Sequence, residues 1–424
     1  MKLMKTNKLL FIVLLLPVHL LMAQEAVTLE QCQIWARENH PVLKQLDLYQ
    51  QILDLKNANN ATSFLPQVNL NGQATYQSDV TKIALSLPGM NIPTVDKDQY
   101  KFYLDFKQTI WDGGLSKAKE LINHAENAGN LLQTEVELFQ VKEKVNQFFF
   151  NSFLIQENLK ILEKKTETLT ERRKILESAV NNGMVLSSEL DQLLAELIKT
   201  GQMVIELKSN KETVLFALSI LTGKTSGHLE NLILPEEPVI TDMPLKRPEL
   251  DLFSYQNKLL SANSELLQKQ RNPKLFGFGQ AGYGKPGLNM LNNSFDTYYL
   301  LGLGFSWNVL DWKTTSRQQK IIQLQQDLVQ TKLESFVRNI DLATDQQNKQ
   351  IIQIQELLKT DQELIAIRER ITKTSASKLE NGAITMADYI LDLNAEMTSR
   401  LMLETRKIQL KEALIKLANI RGNQ

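Results

Sequence analysis

The chain repeats itself, and that repetition constrains its fold more than any other feature. "FLPQVNLNGQATY" (64–76) aligns with "RNPKLFGFGQAGY" (271–283) at an offset of 207, which also pairs Pro41 with Pro248. Phe106, Asp112, Gly183 and Gly223 align with Phe305, Asp311, Gly382 and Gly422 at an offset of 199. The offset changes once, by 8, between Tyr76 and Phe106, so a single loop insertion accounts for the difference. A register held over such a distance marks a duplicated supersecondary unit. The prolines agree. All 11 lie outside residues 94–234 and 287–424. Proline lacks an amide hydrogen and collides with the preceding helical turn, so two long proline-free stretches read as mostly helical.

Each copy reads helix, strand, loop, strand, long helix, turn, helix. Val68, Leu70, Ala74 and Tyr76 alternate with Asn69, Asn71, Gln73 and Thr75, and Phe102, Leu104 and Phe106 alternate with Lys101, Asp105 and Lys107. Period two with one wet face predicts strands at about 65–79 and 99–111 in the first repeat. The counterparts fall at about 274–284 and 297–310. There Phe276 and Phe278 occupy the parity that is polar in the first repeat. From Leu138, alternating steps of three and four reach Val180 with ten apolar residues of thirteen, a heptad seam. The same steps in the second repeat meet seven of thirteen. Long helices are expected at 115–181 and 314–380, each roughly 100 Å long. Return helices are expected at 187–221 and 385–420. A further helix is read as unbroken over Thr28–Thr62. The first repeat thus spans 24–228, an inter-repeat linker 229–246, and the second repeat 247–424.

Residues 1–23 read as an export signal. Lys2, Lys5 and Lys8 precede the apolar run Leu9–Leu16, and Pro17 and the small Ala23 follow. No later run is long and apolar enough for a membrane-spanning helix. With 48 basic and 48 acidic residues the chain lacks the surplus that a nucleic-acid binder carries. One cysteine, Cys32, rules out a disulfide framework and cysteine-based metal sites, and no lipid-anchor motif precedes it. "GFGQAG" (277–282) has nucleotide-loop spacing, but no helix follows to hold a phosphate. His40, His124 and His228 stand alone. No catalytic residue, cofactor or metal site is expected.

Four amphipathic strands cannot close a membrane barrel, and an open edge in lipid is not tolerated. Three chains would supply 12 strands. Asn69, Asn71, Gln73, Lys101, Asp105 and Lys107 are then candidates for a water-filled lumen. Tyr76, Tyr100, Phe102, Trp111 and Trp307 are candidates for the lipid side. Asp112 and Asp311 are placed to cap the long helices, with Gly113 and Gly114 permitting a bend that Trp312 and Lys313 replace in the second repeat. Gly183 and Gly382 suit a helix end with positive φ. Glu189 and Asp388 fall in the first turns of the return helices, where acids suit the dipole.

These segments resemble the TolC-type outer membrane efflux protein family over nearly the whole chain past the signal. The resemblance rests on "ATSFLPQVNL" (61–70), "FKQTIWDGGLSKAK" (106–119), "NNGMVLSSELDQLLAEL" (181–197) and "ENGAITMADYILDLNAE" (380–396). It implies a mainly helical fold in which a homotrimer builds a 12-stranded β-barrel in the outer membrane, continued by a periplasmic α-helical barrel. It further implies a periplasmic adaptor (membrane fusion) protein and an inner-membrane transporter as partners. The adaptor would dock on the tips around Gly183, Glu189, Gly382 and Asp388. Arg173, Glu177, Lys378 and Glu380 become candidates for a constriction. The implied function is a passive exit duct for small molecules. A type I protein secretion duct of the same fold is an alternative, and so is a secreted structural coiled-coil protein.

Overall fold

The computed structural model describes residues 26–81, 94–236 and 244–423. The export signal, the middle of the first inter-strand loop and part of the linker lie outside the described residues. The elements in chain order are α1 (Leu29–Asn39), α2 (Lys44–Ala61), β1 (Gln67–Tyr76), β2 (Asp98–Trp111), α3 (Leu115–Asn181), α4 (Ser187–Thr222), α5 (Pro248–Gln270), β3 (Lys274–Lys285), β4 (Asp296–Ser306), α6 (Thr314–Glu380) and α7 (Met386–Arg421). The helix–strand–strand–long helix–helix order occurs twice.

Two elements differ from the sequence reading. The helix expected over Thr28–Thr62 is two helices, with a 3-10 turn at Pro41–Leu43 between them. Pro41 has no amide hydrogen to continue α1, so the chain restarts there. His40 caps the new turn, its Nδ1 accepting the Val42 amide at 3.3 Å. The fourth strand stops at Ser306, four residues short of the expected 310. In β2 the corresponding stretch, Gln108–Trp111, is held by β3 alone, since β1 reaches only Lys107. Residues 307–310 have no such neighbour among the described residues.

The chain forms two compact units. One comprises the segment up to Ala36 with Val145–Glu236 and Glu369–Thr405; the other comprises Arg37–Lys144, Glu237–Arg368 and Arg406–Gln424. In the first, Leu169 and Leu176 of α3, Leu193 of α4, and Met386, Tyr389, Leu393 and Met397 of α7 form a buried cluster. Ile155 and Leu159 pack on Val214 in another. Cys32 is fully buried in α1, and burial pushes its thiol up to about 12, so it is an inert core residue. In the second unit, Ile351 and Ile354 of α6 meet Ala413, Leu414 and Leu417 of α7.

The second unit also holds an antiparallel sheet of order β1-β2-β3-β4. Its two hairpins have the same register. Val68 faces Phe106 and Gly72 faces Phe102; Leu275 faces Phe305 and Gly279 faces Leu301. These are equivalent pairs under the offsets of 207 and 199. "GFGQAG" lies within β3, a continuous strand, so it is no phosphate loop.

Candidate functional site: wall, junctions and tips

The register sorts the strand residues onto two faces. Asn69 pairs with Asp105, Asn71 with Tyr103, Gln73 with Lys101 and Gln67 with Lys107, so all six lumen candidates share one face. Gln280 joins them, its Nε2 donating to Asp105 at 3.2 Å. The opposite face carries Val68, Leu70, Tyr76, Tyr100, Phe102 and Leu104, then Tyr283, Tyr299, Leu301, Leu303 and Phe305, all largely exposed. A register shift between Thr109 and Trp111 sets Trp111 opposite Leu275 and so returns it to the apolar face. Trp307 lies beyond the end of β4.

The off-parity phenylalanines of β3 also have a role. Phe276 pairs with Gly304 and Phe278 with Gly302. A Cβ at either glycine would run into the ring across from it. Each ring thus fills the gap left by a missing side chain, which restores a continuous packed surface. Lys107 Nζ stands 4.2 Å from the centroid of the Phe276 ring, a cation–π contact that keeps a charge on this face. Strand alternation alone did not reveal this pairing, because it depends on register between strands.

At the strand-to-helix junctions, Asp112 Oδ1 accepts the Gly114 amide at 2.9 Å and Oδ2 the Ser116 amide at 2.6 Å. Asp311 does the same for the Lys313 and Thr315 amides, both at 3.1 Å. Each carboxylate satisfies otherwise unpaired amides at a helix start. Burial works against the charge on Asp112, but hydrogen bonds from Ser116, Gly114 and Leu115 outweigh it and hold its pKa below the usual carboxylate value. Asp311 is lowered chiefly by hydrogen bonds from the Thr315 side chain and amide, helped by Arg271. Both junctions turn through two successive left-handed residues, Gly113 (φ 70) and Gly114 (φ 86) in one, Trp312 (φ 52) and Lys313 (φ 63) in the other. The loss of the glycines does not change the bend. It puts two side chains into a conformation that costs roughly 1–2 kcal/mol per residue. Gly113 is also hemmed in: a Cβ there would strike Asn272, whose Nδ2 donates to the Gly113 carbonyl at 2.6 Å.

At the tips, Gly183 and Gly382 both have φ 69. Their amides donate to Val180 and Leu379, and those of Met184 and Ala383 to Ala179 and Lys378. Both helix ends therefore close in the Schellman pattern. The two acids diverge. Asp388 stays local, accepting the Thr385 hydroxyl at 2.7 Å and the Thr385 amide at 3.0 Å, and these bonds lower its pKa. Glu189 reaches across to the other tip and accepts the Met386 amide at 2.5 Å, the start of α7. Leu186, at the start of α4, offers no side-chain cap. Among the constriction candidates, Arg173 pairs with Glu177 at 3.2 Å and Glu380 with Arg172 at 2.7 Å. Lys378 is exposed on the last turn of α6. Arg172, absent from the sequence-derived candidates, also lies 5.5 Å from the Tyr389 ring centroid.

No sequence-family profile matches the chain, and no curated protein is similar to it in sequence. Solved structures do match. The CmeC outer membrane channel of Campylobacter jejuni shares 17% identity with a TM-score of 0.66, over 93% of this chain and 85% of that one. The outer membrane protein VceC of Vibrio cholerae shares 13% with a TM-score of 0.65, over 92% and 96%. The MtrE outer membrane channel of Neisseria gonorrhoeae, solved in its open state, shares 14% with a TM-score of 0.64, over 93% and 88%. The chain shares its mainly helical fold, with a small sheet, with these outer membrane channels, as the sequence resemblance implied for a single copy.

Proposed function

We propose that this chain is one wall segment of an outer membrane exit duct of the TolC-type family and has no enzymatic role. Three copies would close their sheets into a 12-stranded barrel, and their long helices would continue it as a tube into the periplasm. The observation that carries this reading is the sheet. It presents one polar and one exposed apolar face, and its two outermost strands have no strand neighbour beyond them among the described residues. Such a sheet is stable in lipid only when copies close it, because unpaired backbone groups in hydrocarbon cost several kcal/mol each. Asn69, Asn71, Gln73, Lys101, Asp105 and Lys107 would then face the water column, and the leucines and aromatics would face lipid.

The duct is read as passive. Small molecules would be handed to it by an inner-membrane transporter through a periplasmic adaptor that meets the tips. The tip geometry supports a division of labour. Glu189 is engaged with Met386 inside the chain, whereas Met184 and Leu186 beside it are exposed apolar side chains suited to an adaptor. The test is planar-bilayer conductance of the purified protein. Discrete, ohmic channel steps are expected, with ion selectivity shifted toward anions by Asp105→Lys. A protein that stays monomeric in detergent and gives no steps would overturn the reading.

A further inference from the structure

The sheet contains an internal template for how one copy joins the next. β2 and β4 are equivalent under the offset of 199, and β1 and β3 under that of 207. The two hairpins confirm the equivalence pair by pair. The seam between β2 and β3, which joins the two repeats inside the chain, therefore has a counterpart: β4 of one copy against β1 of the next.

We propose that this contact between copies forms antiparallel in the register of the internal β2–β3 seam. Phe305 would lie opposite Gly72 of the next copy, Leu303 opposite Ala74, and Leu301 opposite Tyr76. The proposal rests on the duct reading above and gives it residue-level register. Inside the chain the corresponding pairs are Phe106 with Gly279, Leu104 with Ala281 and Phe102 with Tyr283.

Three observations carry this choice. First, the receiving segment is shared: Gly72-Gln73-Ala74-Thr75-Tyr76 repeats as Gly279-Gln280-Ala281-Gly282-Tyr283 with one change. Second, the seam has a lock. The Phe106 ring covers Gly279 so closely that no Cβ fits there. The equivalent ring and glycine are Phe305, exposed at 67%, and Gly72, whose nearest neighbour to a built Cβ is Phe102 at 3.6 Å. A slip by two residues keeps the faces but sets Phe305 against Leu70 or Ala74, where a side chain takes the place of the glycine. Third, residues 307–310 are not strand, while their equivalents in β2 are strand because β3 pairs with them. A neighbouring β1 would supply the missing partner, and these residues would extend β4.

Cysteine pairs in the full chain test the register, in a Cys32→Ala background that removes the one native thiol. Opposed strand residues come within disulfide reach, whereas β1 and β4 of one chain lie three strand spacings apart, about 14 Å, so any bond must join two copies. Leu303→Cys with Ala74→Cys, and independently Leu301→Cys with Tyr76→Cys, are expected to oxidise to covalent dimers and trimers in outer membrane preparations. The slipped pairs, Leu303→Cys with Gly72→Cys and Leu303→Cys with Tyr76→Cys, should yield about ten-fold less product, since their Cα atoms lie beyond the bonding range. If copies associate but the slipped pairs link as well as the aligned ones, or the aligned pairs do not link, the register is wrong and the duct reading stands. If no pair links and the parent protein is monomeric and non-conducting, both fall.

Discussion

The long helices α3 and α6 have the same length and differ in what they point at their neighbours. No seam position of α3 is exposed, and Leu138, Val141, Val145, Ile155, Leu159, Leu162, Leu169 and Leu176 are buried. Along the aligned line of α6, Gln347, Asp361, Thr372 and Ser375 are buried instead. Each has a named partner on α7. Gln347 donates to the Ala413 carbonyl at 3.2 Å, Asp361 pairs with Arg406, Thr372 donates to the Asp392 carbonyl at 3.3 Å, and Ser375 donates to the Asp392 carboxylate. The lesson concerns specificity. An apolar seam can slide by a heptad at modest cost, whereas a shift of α7 along α6 would leave Asp361 facing no arginine.

The largest test of this contrast removes one member of a buried ion pair. Lys165 and Glu196, with side chains 6% and 11% exposed, meet at 2.5 Å beside the α3 seam. Lys165→Met should lower stability by about 3–5 kcal/mol, because it strands a buried carboxylate. Asp361→Leu should act similarly on Arg406, and the double change Asp361→Leu, Arg406→Leu should recover most of the loss, as apolar replacement of buried pairs does. Urea midpoints of the detergent-solubilised protein measure both. A double variant no better than the single one would mean that the pair contributes more than mutual neutralisation.

Next in size is a matched substitution at aligned positions. Leu176 and Ser375 are equally buried, at 8% and 7%. Leu176→Ala should cost about 2–5 kcal/mol through lost packing and the cavity left behind. Ser375→Ala should cost about 1 kcal/mol through one hydrogen bond. Equal losses would show that the polar seam is packed as tightly as the apolar one.

The junctions allow a smaller comparison with opposite signs. Gly113→Ala should destabilise by about 1–3 kcal/mol, since its Cβ meets Asn272 in a left-handed conformation. Trp312→Gly should stabilise by about 1 kcal/mol by relieving the same conformation. Thermal unfolding of the two variants side by side checks the signs.

The smallest effect is acid. Asp112, Asp311 and Asp388 all have pKa values lowered in the folded chain. A lowered carboxylate stabilises the fold above its unfolded pKa, near 4, and that contribution disappears as pH falls through the folded value. Stability should therefore decline as pH falls below about 4, and less steeply in Asp388→Asn, where one cap no longer titrates. Chemical denaturation across that range gives the slope.

Much of this was legible in the sequence for physical reasons. Strand faces follow from period two, and the long helices from two proline-free stretches with heptad spacing. The Asp112 and Asp311 caps follow from residue type and position. What the sequence hid depends on partners distant in the chain. The polar seam of α6 looked weak because its partners, Asp392, Arg406 and Ala413, lie on another helix. Residues 307–310 alternate like a strand but have no paired strand among the described residues. Phe276 and Phe278 break the alternation because each lies across the ladder from a glycine, which only the register between strands defines. Glu189 by position suits the dipole of its own helix, and only the fold brings Met386 to it. The break at Pro41 is different: the proline was visible, and helical periodicity on either side obscured it.

The Glu189–Met386 contact also has a consequence for the order of events during synthesis. Its two residues are 197 positions apart in the chain. Glu189 is made early and must wait, its carboxylate in water, until α6 has been completed and the start of α7 arrives. Contacts of such separation form late because the closure entropy of the intervening loop must first be offset by other structure. A chain cut short before Met386 has both halves of its first tip and nothing to fasten them to, so this hydrogen bond reports that α6 is finished and α7 has begun.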